Sequence, residues 1–265
     1  MHFVSESWLF SAQPGIPGAL PRAHWNGGPV PDAPGSTFIG LTNACSSEDV
    51  VTFQSRYEVP AYVPGVWSDR DGPLAAVVLT LDGEFLDLGA TLGFTQNGPG
   101  DVLLFQEYVG SEQVVNGLFI SPVGTPAQSN TSGLVEVVTF GEPLPGLGQT
   151  ATFTRGYSLD DDGRVTMIVV LEDATGAAQD ALVVGDASHQ FSAIVSGGDA
   201  MPTTADEPSP APVLQTLHSY ATGSAGHVAY LAQVGEWGDD GLYLYDPDEQ
   251  LTEKIVRVGD AVEVA

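Results

Sequence analysis

A short pattern that returns at a fixed distance constrains this chain more than any other feature. Gly100-Asp101-Val102-Leu103-Leu104, Gly163-Arg164-Val165-Thr166-Met167 and Gly226-His227-Val228-Ala229-Tyr230 place their glycines 63 residues apart each time (163 − 100 and 226 − 163). A degenerate copy, Glu48-Asp49-Val50-Val51-Thr52, begins 52 residues before the first. Two further marks keep the same phase. A Gly-acid step recurs as Gly83-Glu84, Gly141-Glu142-Pro143, Gly198-Asp199-Ala200-Met201-Pro202 and Gly259-Asp260, each after a short apolar run, with Gly28-Pro29 as first member. Between the other two marks stand Gly65-Val66-Trp67, Gly117-Leu118-Phe119-Ile120, Ala181-Leu182-Val183-Val184 and Gly241-Leu242-Tyr243-Leu244. Three marks in one order identify a tandem-repeat architecture, and a repeat period outranks any local motif as evidence on fold.

The repeats are read over 28–82, 83–140, 141–197 and 198–258, with a partial unit over 1–27. Each has room for four strands of ordinary length. Turn residues are frequent (Gly 32, Pro 19), they separate short Val, Leu, Phe and Tyr runs, and no useful helical period appears, so the fold is all-β. In the second repeat the strands are expected at Phe85 to Phe94, Asp101 to Tyr108, Gly117 to Ser121 and Leu134 to Phe140. Partial alternation, as in Asp101-Val102-Leu103-Leu104-Phe105, suits strands packed on both faces. Four strands per repeat predict a β-propeller-like array of four-stranded blades forming a single domain over 1–265, about four full repeats with partial repeats at the termini. A pair of β-sandwiches is the competing architecture, but a sandwich does not need its strands to repeat in sequence. The Pro-rich stretch 203–212 occupies the phase of 146–151 and is read as a lengthened loop. Pro14 to Gly18 is a turn cluster. The chain begins and ends within a repeat, which predicts a segment of a longer chain.

An excess of 34 acidic over 7 basic residues gives a formal charge of −27, which repels phosphate backbones and anionic lipid surfaces. Nucleic acid is therefore excluded as a partner. No apolar run approaches the length of a membrane span, so no membrane insertion is expected, and the first residues lack the basic and apolar regions of a signal peptide. Cys45 is the only cysteine, which rules out an intramolecular disulfide and a cysteine metal cluster.

Asn97, Asp160 and Gly223 share one phase before a tight turn, where residues that tolerate left-handed backbone or bond their own chain two residues on are needed. In the Gly-acid steps the glycine makes a bend and the carboxylate accepts backbone N–H bonds from the following loop. Ser158-Leu159-Asp160-Asp161-Asp162-Gly163 resembles the start of a calcium loop through Asp160 and Asp162, yet Ser158 stands first and Val169 stands where the bidentate Glu belongs. An acidic turn is the simpler reading. His2, His24, His189, His218 and His227 show no ligand spacing. Thr222-Gly223-Ser224-Ala225-Gly226 lacks the leading glycine of a nucleophile elbow. Pairs such as Glu172-Asp173 and Asp239-Asp240 carry little information in so acidic a chain, and Asn130-Thr131-Ser132 is a formal glycosylation sequon. No catalytic, cofactor-binding or metal-ligating residue is assigned, and no cofactor is expected.

The units resemble the bacterial choice-of-anchor tandem-repeat proteins that carry an Asn-x-x-Gly-x-x-Ala-Phe motif. Asn97-Gly98-Pro99-Gly100-Asp101-Val102-Leu103-Leu104 keeps the Asn and Gly, Asp160 to Met167 puts Asp for Asn, and Gly223 to Tyr230 keeps Gly, Ala and an aromatic. The resemblance implies export and surface attachment without an established activity. Sequence therefore points to a non-enzymatic, extracellular or cell-surface repeat module with a binding or structural role and a protein or glycan ligand. The alternatives are a glycan-active hydrolase or lyase with carboxylates at the propeller axis, and a calcium-stabilised adhesion module.

Overall fold

The computed structural model describes residues 2–5, 8–11, 22–25, 29–30, 35–47, 50–59, 61–70, 74–79, 85–87, 93–109, 114–126, 133–203, 210–235 and 239–260. Their regular structure is antiparallel β-sheet, with a 3-10 turn at Ser224–Gly226. The chain divides into two compact units, Met1–Thr139 and Phe140–Ala265.

In the first unit, β1 (His2–Ser5), β2 (Trp8–Ser11) and β3 (Arg22–Trp25) form a three-stranded sheet. β1 pairs with β2 through Phe3–Phe10 and Val4–Leu9. Sheet I follows as β4 (Phe38–Ser47), β5 (Val50–Val59), β6 (Ala61–Ser68) and β7 (Ala75–Leu79). Sheet II contains β8 (Phe85–Asp87), β9 (Phe94–Gln96), β10 (Val102–Val109), β11 (Val114–Ser121) and β12 (Val135–Thr139). The region expected as one strand from Phe85 to Phe94 is thus two short strands, and both pair with β10: Phe85 opposite Tyr108 and Phe94 opposite Leu104.

In the second unit, sheet III is β13 (Thr150–Leu159), β14 (Val165–Glu172), β15 (Ala178–Gly185) and β16 (Phe191–Ser196). Sheet IV is β17 (Leu214–Thr222), β18 (Val228–Val234), β19 (Asp239–Asp246) and β20 (Leu251–Arg257). Sheets I to IV each fall within one of the four ranges read from the sequence marks.

All four sheets share one irregularity. Between the third and fourth strands the register slips by a residue at Val66/Trp67, Leu118/Phe119, Leu182/Val183 and Leu242/Tyr243. These are the positions of the mark that reads Gly-x-aromatic in sheets I, II and IV and Ala181-Leu182-Val183 in sheet III. The extra residue on the fourth strand is Val77, Val137, Ile194 or Ile255, so each of these sheets carries a β-bulge with a β-branched side chain.

In each unit two of the larger sheets stack on one another, and the two pairs stack alike. In the first unit, Val66 and Val77 of sheet I pack with Val102, Leu104 and Phe94 of sheet II. In the second, Ile168, Leu182, Val195 and Ile194 of sheet III pack with Val228, Tyr230, Val234 and Tyr243 of sheet IV. Since Val66 and Leu182 are equivalent, as are Val102 and Val228, the same face meets the next sheet in both units. Each fully buried aliphatic side chain here contributes about 2 kcal/mol of transfer free energy. Polar clamps supplement this packing. Arg70 donates from the end of sheet I to the Ser121 carbonyl at 2.6 Å and the Gly100 carbonyl at 3.2 Å in sheet II, and the Tyr220 hydroxyl of sheet IV donates to the Thr166 carbonyl of sheet III at 2.7 Å.

Candidate interaction face

The fixed-distance glycines close the turn between the first and second strands of sheets II, III and IV. In each, the residue three before the glycine donates its N–H to the carbonyl of the residue after it: Asn97 to Asp101 at 3.2 Å, Asp160 to Arg164 at 3.0 Å and Gly223 to His227 at 2.8 Å. Asn97 Oδ1 also accepts the Gly100 and Asp101 N–H groups (3.0 and 2.8 Å), and Asp160 Oδ1 those of Asp162 and Arg164 (3.0 and 2.8 Å). Gly100, Gly163 and Gly226 adopt positive φ of 99°, 77° and 80°, which L side chains rarely adopt. The turn role assigned to Asn97 and Asp160 therefore has its donors in place, and Gly223, with no side chain to accept them, precedes the 3-10 turn instead.

Sheet III uses the same five-residue loop twice more. Asp173 Oδ1 accepts the Thr175 and Ala177 N–H groups and the Thr175 hydroxyl, and Asp186 Oδ1 accepts the Ser188 and Gln190 N–H groups. The Thr175 hydroxyl and the Gln190 N–H are the leading causes that hold the two carboxyls below the usual aspartate range. At the glycine position of the second loop stands His189, with φ 55°, and burial pushes its pKa down.

The Gly-acid step works differently from the expectation. Asp199 Oδ2 accepts the Ser196 N–H at 2.7 Å and Asp260 Oδ2 accepts the Arg257 N–H at 2.7 Å, so each carboxylate caps the preceding strand, not the following loop. The reason is the glycine at positive φ immediately before it, which turns the chain back on the strand it has just left. The residues just beyond the step pair with the start of the next sheet: Leu144 donates to Gln149 and Met201 to Pro212, both at 2.8 Å. Pro212 thus holds before sheet IV the place that Gln149 holds before sheet III, and residues 204–209, between Pro212 and the step, lie outside the described residues. Asp260 also receives Lys254, the sole lysine of the chain, through both carboxylate oxygens at 3.0 and 2.9 Å, and Lys254 is the first cause of the lowered Asp260 pKa.

Asp160 Oδ1 is occupied by turn N–H groups, and the Arg164 guanidinium lies 3.8 Å from Asp160 Oδ2 and 3.6 Å from Asp162 Oδ2. Among the described residues, no three His, Cys, Asp or Glu side chains gather as metal ligands, and no helix is long and apolar enough to cross a membrane. His227 Nε2 lies 3.6 Å from Asp246. Cys45 sits on β4 opposite Thr52. Glu48-Asp49, Gly83-Glu84, Gly28, Pro14 to Gly18 and Asn130 to Ser132 lie outside the described residues, as do the side chains of His2, His24 and Cys45.

The structure offers an extended face instead. Leu231, Leu242 and Val256 lie directly opposite one another on β18, β19 and β20 and are 36%, 36% and 39% exposed. Ile255, the bulge residue beside them, is 53% exposed. At the rim, His218 on a bulge of β17 reaches Asp240 at 3.3 Å, and its counterpart 63 residues upstream, Arg155, reaches Asp180 at 3.0 Å. Sequence reading missed this recurring pair because its partners lie on the first and third strands, and only pairing brings them together. It also missed the row, whose members are 11 and 14 residues apart (242 − 231 and 256 − 242).

No family model matches the chain, and no curated protein sequence matches it. Among solved structures it is similar to a "Hypothetical protein from leishmania major", with 12% identity, coverage of 83% of this chain and 67% of that chain, and a TM-score of 0.30, a likeness too distant to argue from.

Proposed function

We propose that the chain is a non-enzymatic, propeller-like repeat module that acts by binding, or by carrying binding surfaces, at a cell exterior, with a protein or glycan as ligand. One observation carries this reading: six acidic or amide side chains at turns and Gly-acid steps hold backbone N–H groups of the scaffold. Asn97, Asp160, Asp173 and Asp186 close turns, and Asp199 and Asp260 cap strands, each through backbone N–H groups. A carboxylate held by two donors in an exposed turn is a poor general acid or nucleophile, because catalysis needs it free, oriented and near a reacting atom. The like-facing stacking of sheets I on II and III on IV supports reading the sheets as successive blades, since a sandwich joins two different faces once whereas an array repeats one junction. The acidic surface and the resemblance of the 97–104, 160–167 and 223–230 motifs to surface-attached repeat proteins support the location. Incubation with panels of glycosidase and polysaccharide-lyase substrates is expected to give no turnover. Turnover lost on replacing a single carboxylate would overturn the reading in favour of a glycan-active enzyme.

A further inference from the structure

We infer that the outer face of sheet IV is a docking surface for a further four-stranded sheet of this same repeat. The inference rests on the repeat-module reading and names what its free face takes. Equivalent positions on neighbouring sheets differ only in their cover. Ile168, Leu182 and Val195 form a cross-strand row on sheet III, paired in the same way as Leu231, Leu242 and Val256 on sheet IV. The first row is 3%, 0% and 6% exposed because sheet IV lies on it, while the second is more than a third exposed at every position. The bulge residue shows the same contrast: Val77 and Ile194 join the clusters between stacked sheets, whereas Ile255 is open. Aliphatic side chains thus persist on sheet IV where nothing among the described residues covers them, and a purely solvated face would not need them.

The cover is specified by what covers the equivalent rows. Sheet III receives Val228, Tyr230, Val234 and Tyr243, and sheet I receives Val102, Leu104 and Phe94, so the complementary face alternates aliphatic side chains along its second strand and adds aromatic ones. A second copy of the chain does not fit. Two chains of formal charge −27 repel. The occupant is therefore a further sheet of the repeat, which stacks head to tail as sheet IV stacks on sheet III.

The test tracks the accessibility of one thiol. In a Cys45→Ser chain, Leu242→Cys is expected to react rapidly with a thiol reagent, and Leu182→Cys, at the covered position of sheet III, slowly. A chain extended after Asp260 by a second copy of residues 198–260 is then compared. The expected result is protection of Leu242→Cys by about tenfold or more, with the thiol at the same place in the added copy reacting rapidly. Val256→Cys serves as a second probe should Leu242→Cys perturb the sheet. Unchanged reactivity in the extended chain overturns the inference, whether the added strands form by circular dichroism or not, because a complementary face would order them. Protection already present in the unextended chain and lost on dilution overturns it in favour of a second copy. The readout involves no turnover, so it fails or succeeds independently of the substrate screen.

Discussion

The Gly-x-aromatic mark makes a quantitative prediction at Gly241. A Cβ added there would lie 2.8 Å from both Cε2 and the hydroxyl oxygen of Tyr243 and 3.0 Å from its Cζ. The ring has no room to yield: Tyr243 is fully buried and stacks on Tyr230, with centroids 5.4 Å apart and planes 22° from parallel. Forcing a methyl group into such a contact costs about 1–3 kcal/mol. Replacing glycine by alanine also restricts the unfolded chain, which offsets roughly 0.4–1 kcal/mol of that. Gly241→Ala is therefore expected to destabilise by about 1–2 kcal/mol, and to lower the melting temperature by roughly 2–8 °C for a chain of this size. Sheet III supplies the natural control, since there Ala181 stands two residues before Val183, which carries no ring. In a Tyr243→Val background, Gly241→Ala should consequently be neutral or mildly stabilising, and the double-mutant cycle should show a coupling of about 1–3 kcal/mol. Urea and thermal denaturation followed by circular dichroism measure all four chains. A neutral Gly241→Ala, or a penalty that survives Tyr243→Val, would refute the steric account of the mark.

Three further outcomes are expected. His189→Asn should stabilise the chain by up to about 1 kcal/mol, since asparagine tolerates left-handed backbone better. Burial holds the His189 pKa below 6.5, so the unfolded chain binds its proton first and the original chain should lose stability as pH falls from about 7.5 through that depressed value; urea midpoints that fall equally in the variant refute this. Asp173, Asp186, Asp246 and Asp260 all have pKa values lowered from 3.8, by hydrogen bonds and, at Asp260, first by Lys254, so their contribution is present above about pH 4 and is lost as pH falls through the folded values. Denaturation midpoints that stay flat between about pH 4 and pH 2 contradict that sign. Lys254, whose side chain is 6% exposed against Asp260, should be acylated by amine reagents far more slowly than the N-terminal amine, and Asp260→Asn should speed the reaction. Equal labelling of both amines by mass spectrometry rules out the buried pair.

Sequence by itself determined the local features, because each depends on residues close together in the chain. The turns at Asn97 and Asp160 were legible since a side chain bonding N–H groups two to four residues on, followed by a glycine at positive φ, is a local demand. The Gly-x-aromatic mark was legible too, as residues i and i+2 share one side of a strand, and so was the β class. Pairing and stacking decided the rest. The split of the Phe85 to Phe94 region depends on two separate partners along β10. The direction in which Asp199 and Asp260 cap depends on how the glycine before each folds the chain back. The Arg155–Asp180 and His218–Asp240 pairs require register across a sheet. The candidate face shows this most directly: Ile168, Leu182 and Val195 look the same in sequence as Leu231, Leu242 and Val256, yet one row is buried and the other exposed. Hydrophobicity is a property of the residue, whereas burial belongs to whichever surface lies against it, and for the row on sheet III that surface is sheet IV.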